Sequence, residues 1–395
     1  MKKEQLKRPA FARITEVASR APFTLFQNTR DQADIHHSSF TIHHSSCFRI
    51  HRMSGILTSL FTRNFISITF IILHFSFFIS TTLLAQDPHF SQFYEAPLLL
   101  NPARAGFING TYELSGIYRS QWKDITIPFK TISGTGNINI PAGKNKNNIL
   151  GIALTDFADK SGDGAYATNH LDACFAYHKN FGSGFNHYLG GGFMMGIATT
   201  SFDQSKLTFD EDFMSGTNTE IIENSNASFL DLAAGMEYNF LSDEKHFNAG
   251  FACYHLTRPA VSYSNTVSSV IYRKFVLNAG YSEKLTGTID FIPRAAFITQ
   301  GPSNELDLGA DFKFSLTRNA ATNYALYAGA YYRSGDAFIP KLRIDMGDLS
   351  LGFSYDITVS KLAEASQTAG GPEITILYIG RIKGISAGRI YNPRF

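Results

Sequence analysis

The sequence predicts an all-β protein: a transmembrane antiparallel β-barrel of about fourteen strands, led by a short N-terminal periplasmic segment. Three observations predict it. Segment after segment alternates with period two over roughly 9–11 residues, the length that crosses a bilayer as a tilted strand. One face of each stays apolar and free of charge for that whole length, as contact with lipid demands. Aromatic residues gather near strand ends, for example Phe181, Phe185 and Tyr188, or Tyr238 and Phe240, where an interfacial girdle would lie. A soluble sandwich also alternates, but in lipid only a closed barrel pairs every backbone group.

In chain order, residues 1–52 are basic and histidine-rich, with His36, His37, His43, His44 and His51 around two HHSS repeats. They lack the regular carboxylate or thiol spacing of a metal site. They are read as a spurious extension, with translation expected to start at Met53. Residues 53–85 form a signal peptide: Arg63, then an apolar run Phe65–Leu84 without Asp, Glu, Lys or Arg, then Ala85-Gln86. The run is long enough to span a bilayer uncleaved, but no cluster of Lys or Arg follows to stop transfer, and cleavage after Ala85 is expected. Residues 1–85 carry 10 of the 35 Lys and Arg and 4 of the 33 Asp and Glu, which leaves the mature part, 86–395, at −4. Nucleic acid as a partner therefore loses its compositional support.

The stretch Asp87–Gly106, DPHFSQFYEAPLLLNPARAG, precedes the first strand. Pro88, Pro97 and Pro102 exclude one long helix or strand. Phe90, Phe93 and Tyr94 fall at helical spacing for about one turn, and Asn101-Pro102 with Gly106 reads as a turn. Strands are expected near 112–121, 129–140, 149–157, 167–180, 185–200, 228–240, 246–256, 270–283, 287–299, 304–316, 322–333, 337–346, 349–359 and 373–380. Longer connections are expected at 201–227, 257–269 and 360–372, the first acidic at Asp210, Glu211 and Asp212.

The alternation assigns faces. Leu230, Leu232, Ala234, Met236, Tyr238 and Phe240 point one way, with Asp231 and Glu237 opposite. Leu308, Phe312, Leu351 and Phe353 are expected to face lipid. Asp307, Asp311, Lys313 and Ser354 are expected to face inward, where Arg should be tolerated far better than on the lipid side. Inward charges such as Asp231, Glu237, Asp311, Lys313, Arg333 and Arg343 either line a pore or form a salt-linked plug.

Signatures of catalysis are sparse: no H-E-x-x-H and no Walker loop appears, and the protein is read as non-enzymatic, without cofactor or metal. Gly190-Gly191-Gly192 is assigned to tight barrel packing. Asp156, Asp159 and Asp163 are spaced faintly like a calcium loop but lack its closing Glu, and are read as a polar hairpin turn. Cys174 and Cys253 fall on opposite faces, which argues against a disulfide. His178, His187, His246 and His255 are read as wall or interface histidines.

Asp87–Gly106, Tyr118-Arg119-Ser120-Gln121-Trp122, Ile127-Pro128-Phe129-Lys130-Thr131 and Pro393-Arg394-Phe395 together resemble the PorP/SprF family, outer-membrane proteins of the type IX secretion system of Bacteroidetes. The resemblance spans the mature chain from both ends. It implies a cell outer-membrane barrel in that apparatus, a role in gliding motility where that exists, and association with its periplasmic ring or translocon. It also implies a secreted surface protein with a type B C-terminal sorting domain as partner. Two positions depart from the pattern: Asn392 stands where a Cys is expected, and Arg104 interrupts the small residues after Asn-Pro-Ala. The opening stretch is expected at the periplasmic end as a docking or closing surface, with Phe90, Phe93, Tyr94, Asn101 and Pro102 as its contacts and Trp122 in support. Two alternatives are a passive porin or hydrophobic-solute channel and a secreted β-sandwich adhesin.

Overall fold

The computed structural model describes residues 87–383, except 124, 126, 145–146, 163, 182–185, 208–224, 264–268 and 317–323. The expectations for residues 1–85, for Asp163, Phe185 and Asp210–Asp212, and for Asn392–Phe395 lie outside the described residues.

Among the described residues, fourteen strands close into an antiparallel barrel. They are β1 (Tyr112–Gln121), β2 (Phe129–Ala142), β3 (Asn148–Ser161), β4 (Tyr166–Phe181), β5 (His187–Ser201), β6 (Asn226–Leu241), β7 (Lys245–Tyr254), β10 (Lys274–Lys284), β11 (Ile289–Gln300), β12 (Ser303–Ser315), β13 (Tyr324–Arg333), β14 (Ala337–Met346), β15 (Leu349–Thr358) and β16 (Ala369–Gly380). Each pairs with its neighbour in sequence order. The barrel shuts where β1 meets β16, with Tyr112 opposite Gly380 and Arg119 opposite Glu373. A separate two-stranded hairpin, β8 (Ala260–Val261) with β9 (Ser269–Val270), sits in the connection between β7 and β10. The closed barrel overturns the β-sandwich alternative.

All fourteen expected strands are present, and the three longer connections lie at 202–225, 255–273 and 359–368. These three share the end of the barrel at which β1 finishes. Turns at the other end, where Thr111 enters β1, are short; that between β14 and β15 is 347–348. Closure makes the ladder continuous, so no edge is left to present unpaired backbone to lipid.

The faces follow the pattern. Leu308, Phe312, Leu351 and Phe353 are each about two-fifths to one-half exposed on the outside, whereas Asp307, Asp311 and Ser354 are buried within. Phe181, His187, Tyr238, Phe240 and Phe247 form an outer aromatic cluster at the short-turn end, with Phe181 stacked on His187 at 5.7 Å. Tyr188, expected in that girdle, points inward instead: it is buried edge-on against Phe107 at 5.4 Å. Even-numbered positions of β5 face the lumen, and the lumen holds an aromatic partner. Asp156 and Asp159 both lie within β3, three residues apart and so on opposite faces, not in a hairpin turn. Cys174 and Cys253 are free.

Substituting Leu308 or Phe353 by Arg is expected to cost about 2–4 kcal/mol, read from urea titration of folding into lipid. The companion expectation, that the inner face tolerates Arg, does not survive. Asp311 and Ser354 have no exposure at all because the lumen is filled.

Candidate functional site

What fills the lumen is the opening stretch. From Asp87, among residues at the long-loop end, the chain descends inside the barrel to Thr111 at the short-turn end, where β1 begins. Its prolines shape three short helical turns, Phe93–Glu95, Pro97–Leu100 and Pro102–Arg104, in place of one long element. Asn101 caps the last turn by accepting from Ala103 N at 2.9 Å. The stretch therefore does not stop at the short-turn mouth, as its position before β1 led us to expect; it threads the barrel.

The wall makes room for it. A Cβ added at Gly151 on β3 would sit 2.0 Å from Ala105 O, and one at Gly192 on β5 would sit 2.4 Å from Pro102 O. Glycine at these two positions lets plug backbone lie directly on strand backbone. Gly106 turns the chain out of the plug with φ +73°, and its N–H donates to Asn137 Oδ1 at 2.7 Å. Nearby, His178 Nε2 donates to Ala105 O at 2.8 Å and its ring lies 5.0 Å from Phe107.

Three polar clusters then fix the plug to strands all round the barrel. In the first, Ser91 N and Gln92 N each donate to the Glu373 carboxylate at 2.7 Å, and Ser91 Oγ donates to Asp356 Oδ1 at 2.6 Å. Arg119 pairs with Asp356 at 2.5 Å and Arg333 with Asp356 at 3.3 Å and Asp307 at 3.4 Å. In the second, Glu95 pairs with Arg343 at 2.8 Å and Lys341 at 3.7 Å. The Tyr94 ring lies beneath Arg294 at 4.1 Å and Lys341 at 4.2 Å, and Arg294 pairs with Asp311. In the third, Asp87 Oδ2 lies 2.8 Å from both Lys274 Nζ and His255 Nε2, while His255 Nδ1 lies 2.8 Å from Asp231 Oδ2. Gln300 closes this cluster by bonding Asp87 N and Oδ1, each at 2.9 Å.

The third cluster carries a pH dependence. Burial alone would lower the His255 pKa, but the Asp87 carboxylate and the hydrogen bonds to Asp231 and Asp87 outweigh it and raise it to about 9. Asp87 is held well below the usual carboxylate range: burial opposes this, and Lys274 and His255 prevail. A raised histidine stabilises fully below its ordinary value and loses that contribution as pH climbs through about 9. The protection factors of the amides of residue 87 and residues 89–91, taken relative to intrinsic exchange at each pH, are therefore expected to fall between pH 7 and pH 10, and in H255Q they should be low throughout. An unchanged pH response in H255Q would reject the assignment.

The structure brings most of the sequence-selected residues together. Phe90 packs edge-on against Phe157 at 6.1 Å, and Phe93 and Tyr94 pack against Tyr331 at 5.9 and 5.2 Å. Asn101 donates to Met236 O at 3.0 Å, Pro102 O accepts from Cys174 Sγ at 3.3 Å, and Asp231 and Glu237 both serve plug contacts. Arg104, which departs from the family pattern, pairs with Glu237 at 2.8 Å. Two stand apart. Lys313 pairs with Asp290 on the adjacent strand at 3.5 Å, and Trp122, half-buried in the β1–β2 turn, packs on Phe129 at 4.9 Å. Sequence reasoning missed Ser91, Gln92 and Glu95. Their signal was a set of polar residues within an otherwise aromatic and apolar stretch.

Space remains beside the plug. A cavity of about 670 Å³ lies at the long-loop end, between residues 87–100, the inner faces of β3–β6, the β7–β10 connection, and Lys274, Gln300 and Glu305 of β10–β12. Among the described residues no group of three or more His, Cys, Asp or Glu is placed to hold a metal ion.

No protein of curated function matches the chain. Among solved structures, the Ralstonia pickettii toluene transporter TbuX is similar in fold at 10% identity and TM-score 0.47, over 72% of this chain and 92% of that one. A Pseudomonas aeruginosa FadL homologue is similar at 10% identity and TM-score 0.43, over 70% and 92%. The family model for the type IX secretion system membrane protein PorP/SprF matches residues 82–378. The chain belongs to the PorP/SprF family of type IX secretion system membrane proteins.

Proposed function

We propose that the protein is a non-enzymatic outer-membrane component of the type IX system, closed by its own N-terminal segment, that supports export or surface anchoring of a partner protein. The observation that carries this reading is the plug: buried ion pairs and hydrogen bonds tie the N-terminal chain across the lumen, and breaking one by removing a partner is costly. In this reading the short-turn end faces the periplasm and the long loops face outward, as turn lengths do in such barrels. Partners are the periplasmic ring or translocon and a secreted surface protein with a type B sorting domain, with gliding motility where the organism has it. Signal-peptide cleavage leaves a mature chain beginning near Gln86.

Phe90, Phe93, Tyr94, Asn101 and Pro102 enter docking through the plug whose position they set, since their side chains are buried. The test measures two things on one strain. The purified barrel in a planar bilayer is expected to stay closed, and the variant with Phe90, Phe93 and Tyr94 replaced by Ala is expected to assemble but lose export of its surface protein. A steady open conductance in the native barrel would favour the passive-channel alternative. Normal export by the triple variant would remove the plug from the secretion role.

A further inference from the structure

The cavity beside the plug holds a carboxylate that the fold leaves without a partner. Asp172 on β4 is 3% exposed and lines the cavity. Among the described residues no hydrogen bond or ion pair reaches it. Its side chain leans over Gly196 of β5, where an added Cβ would lie 1.9 Å from Asp172 Oδ1. The other cavity carboxylates are engaged: Asp87 and Asp231 by His255, Glu305 by His89 at 3.2 Å, and Asp159 by the Thr131 hydroxyl at 2.7 Å. A buried carboxylate without a donor is costly, and a cationic donor in the cavity would supply what the protein does not.

Beside it the wall is aromatic. His170, two residues along the same face of β4, stands edge-on between Phe157 at 6.0 Å and Phe229 at 6.1 Å, and Phe90 of the plug packs on Phe157. Such rings accept both an apolar body and a cation at their faces. At the rim, Tyr263 from the β7–β10 connection reaches across to Thr200 Oγ1 at 2.6 Å. The volume lies within the range of small-molecule sites, roughly 300–1,000 Å³.

We propose that this cavity binds a small amphipathic cation, a primary ammonium on an apolar body, with the ammonium on Asp172 and the body against Phe90, Phe157 and Phe229. The proposal goes beyond the secretion role and does not depend on it, because the cavity lies beside the plug and can be filled whether or not the barrel conducts.

Calorimetric titration of the full barrel in a non-ionic detergent tests it with three probes of one shape: phenethylammonium, phenethyl alcohol and phenylacetate. The ammonium is expected to bind about tenfold or more tightly than the alcohol, as one charge-assisted hydrogen bond provides, and phenylacetate is expected not to bind. D172N should bring the ammonium down to the level of the alcohol. Equal binding of ammonium and alcohol, no binding of either, or undiminished ammonium binding in D172N would each overturn the proposal. Should D172N not fold, the three-probe comparison on the native barrel decides alone. Conductance is recorded separately, so an open native barrel would count against the closed reading and leave this result untouched.

Discussion

Replacing Gly151 and Gly192 together by Val is expected to unseat the plug and turn a closed barrel into a conducting one. Each new Cβ would meet plug backbone, at 2.0 Å from Ala105 O and at 2.4 Å from Pro102 O, where no side chain can rotate away. Overpacking of this kind costs about 1–3 kcal/mol per site when neighbours can shift. Here the neighbour is main chain held by Asn101, His178 and Asn137, so displacement of the whole segment is the available relief. The strands themselves should be untouched, because Val suits a β-strand. The measurement is single-channel conductance beside a circular-dichroism check of the barrel. A closed, folded double variant would show that these glycines do not govern seating.

Replacing Arg333 by Ala should be the most destabilising single change in the wall, by about 3–5 kcal/mol, the usual cost of stripping one partner from a buried charge cluster. Arg333 is 1% exposed, and its guanidinium meets Asp356 at 3.3 Å, Asp307 at 3.4 Å and Asp336 at 3.0 Å while donating to Ser91 Oγ at 3.0 Å. Its loss leaves the Asp307, Asp356 and Glu305 carboxylates close together in the buried interior. The double change R333M with D307N should recover much of the loss, since apolar or neutral replacement of both partners is far less costly than removal of one. Urea titration in detergent measures both. A loss below about 1 kcal/mol for R333A would mean that water reaches the cluster.

Much of this was legible in the sequence, and the physics says why. A barrel wall is periodic, so Leu349–Val359 or Glu305–Leu316 reveals both faces once the period is two. Connections showed themselves where that alternation lapsed. The resemblance at Asp87–Gly106 pointed to the stretch that turned out to occupy the lumen. Its path was not legible. Alternation fixes which way a side chain points but not what stands opposite it across the lumen, so Asp311 fitted a pore charge or a plug contact equally until Arg294 and the Tyr94 ring appeared beside it. Tyr188 was misplaced for the same cause: an aromatic near a strand end looks interfacial unless Phe107 is known to be behind it. The pairing of Arg104 with Glu237, 133 residues apart, has no local trace.

The meeting of β1 with β16 has a consequence for the order in which the molecule is made. Arg119 belongs to β1, Glu373 to β16, and the two strands are partners at that level. Between them, Arg119 contacts His89 O and Glu373 receives the N–H groups of Ser91 and Gln92. The first and last strands are thus joined twice, once by their ladder and once through a piece of chain that was synthesised before either. These contacts span some 280 residues of sequence, the slowest kind to form. An empty cylinder that zipped shut first would have to admit a chain already fastened to its own first strand at Thr111. The economical history is the reverse: the wall wraps round a chain already lying along its axis, and Ser91 and Gln92 reach Glu373 as the final strand pairs with the first. A barrel that closed without its N-terminal residues would leave Glu373 buried beside Arg119 but without the two N–H groups that it accepts from Ser91 and Gln92.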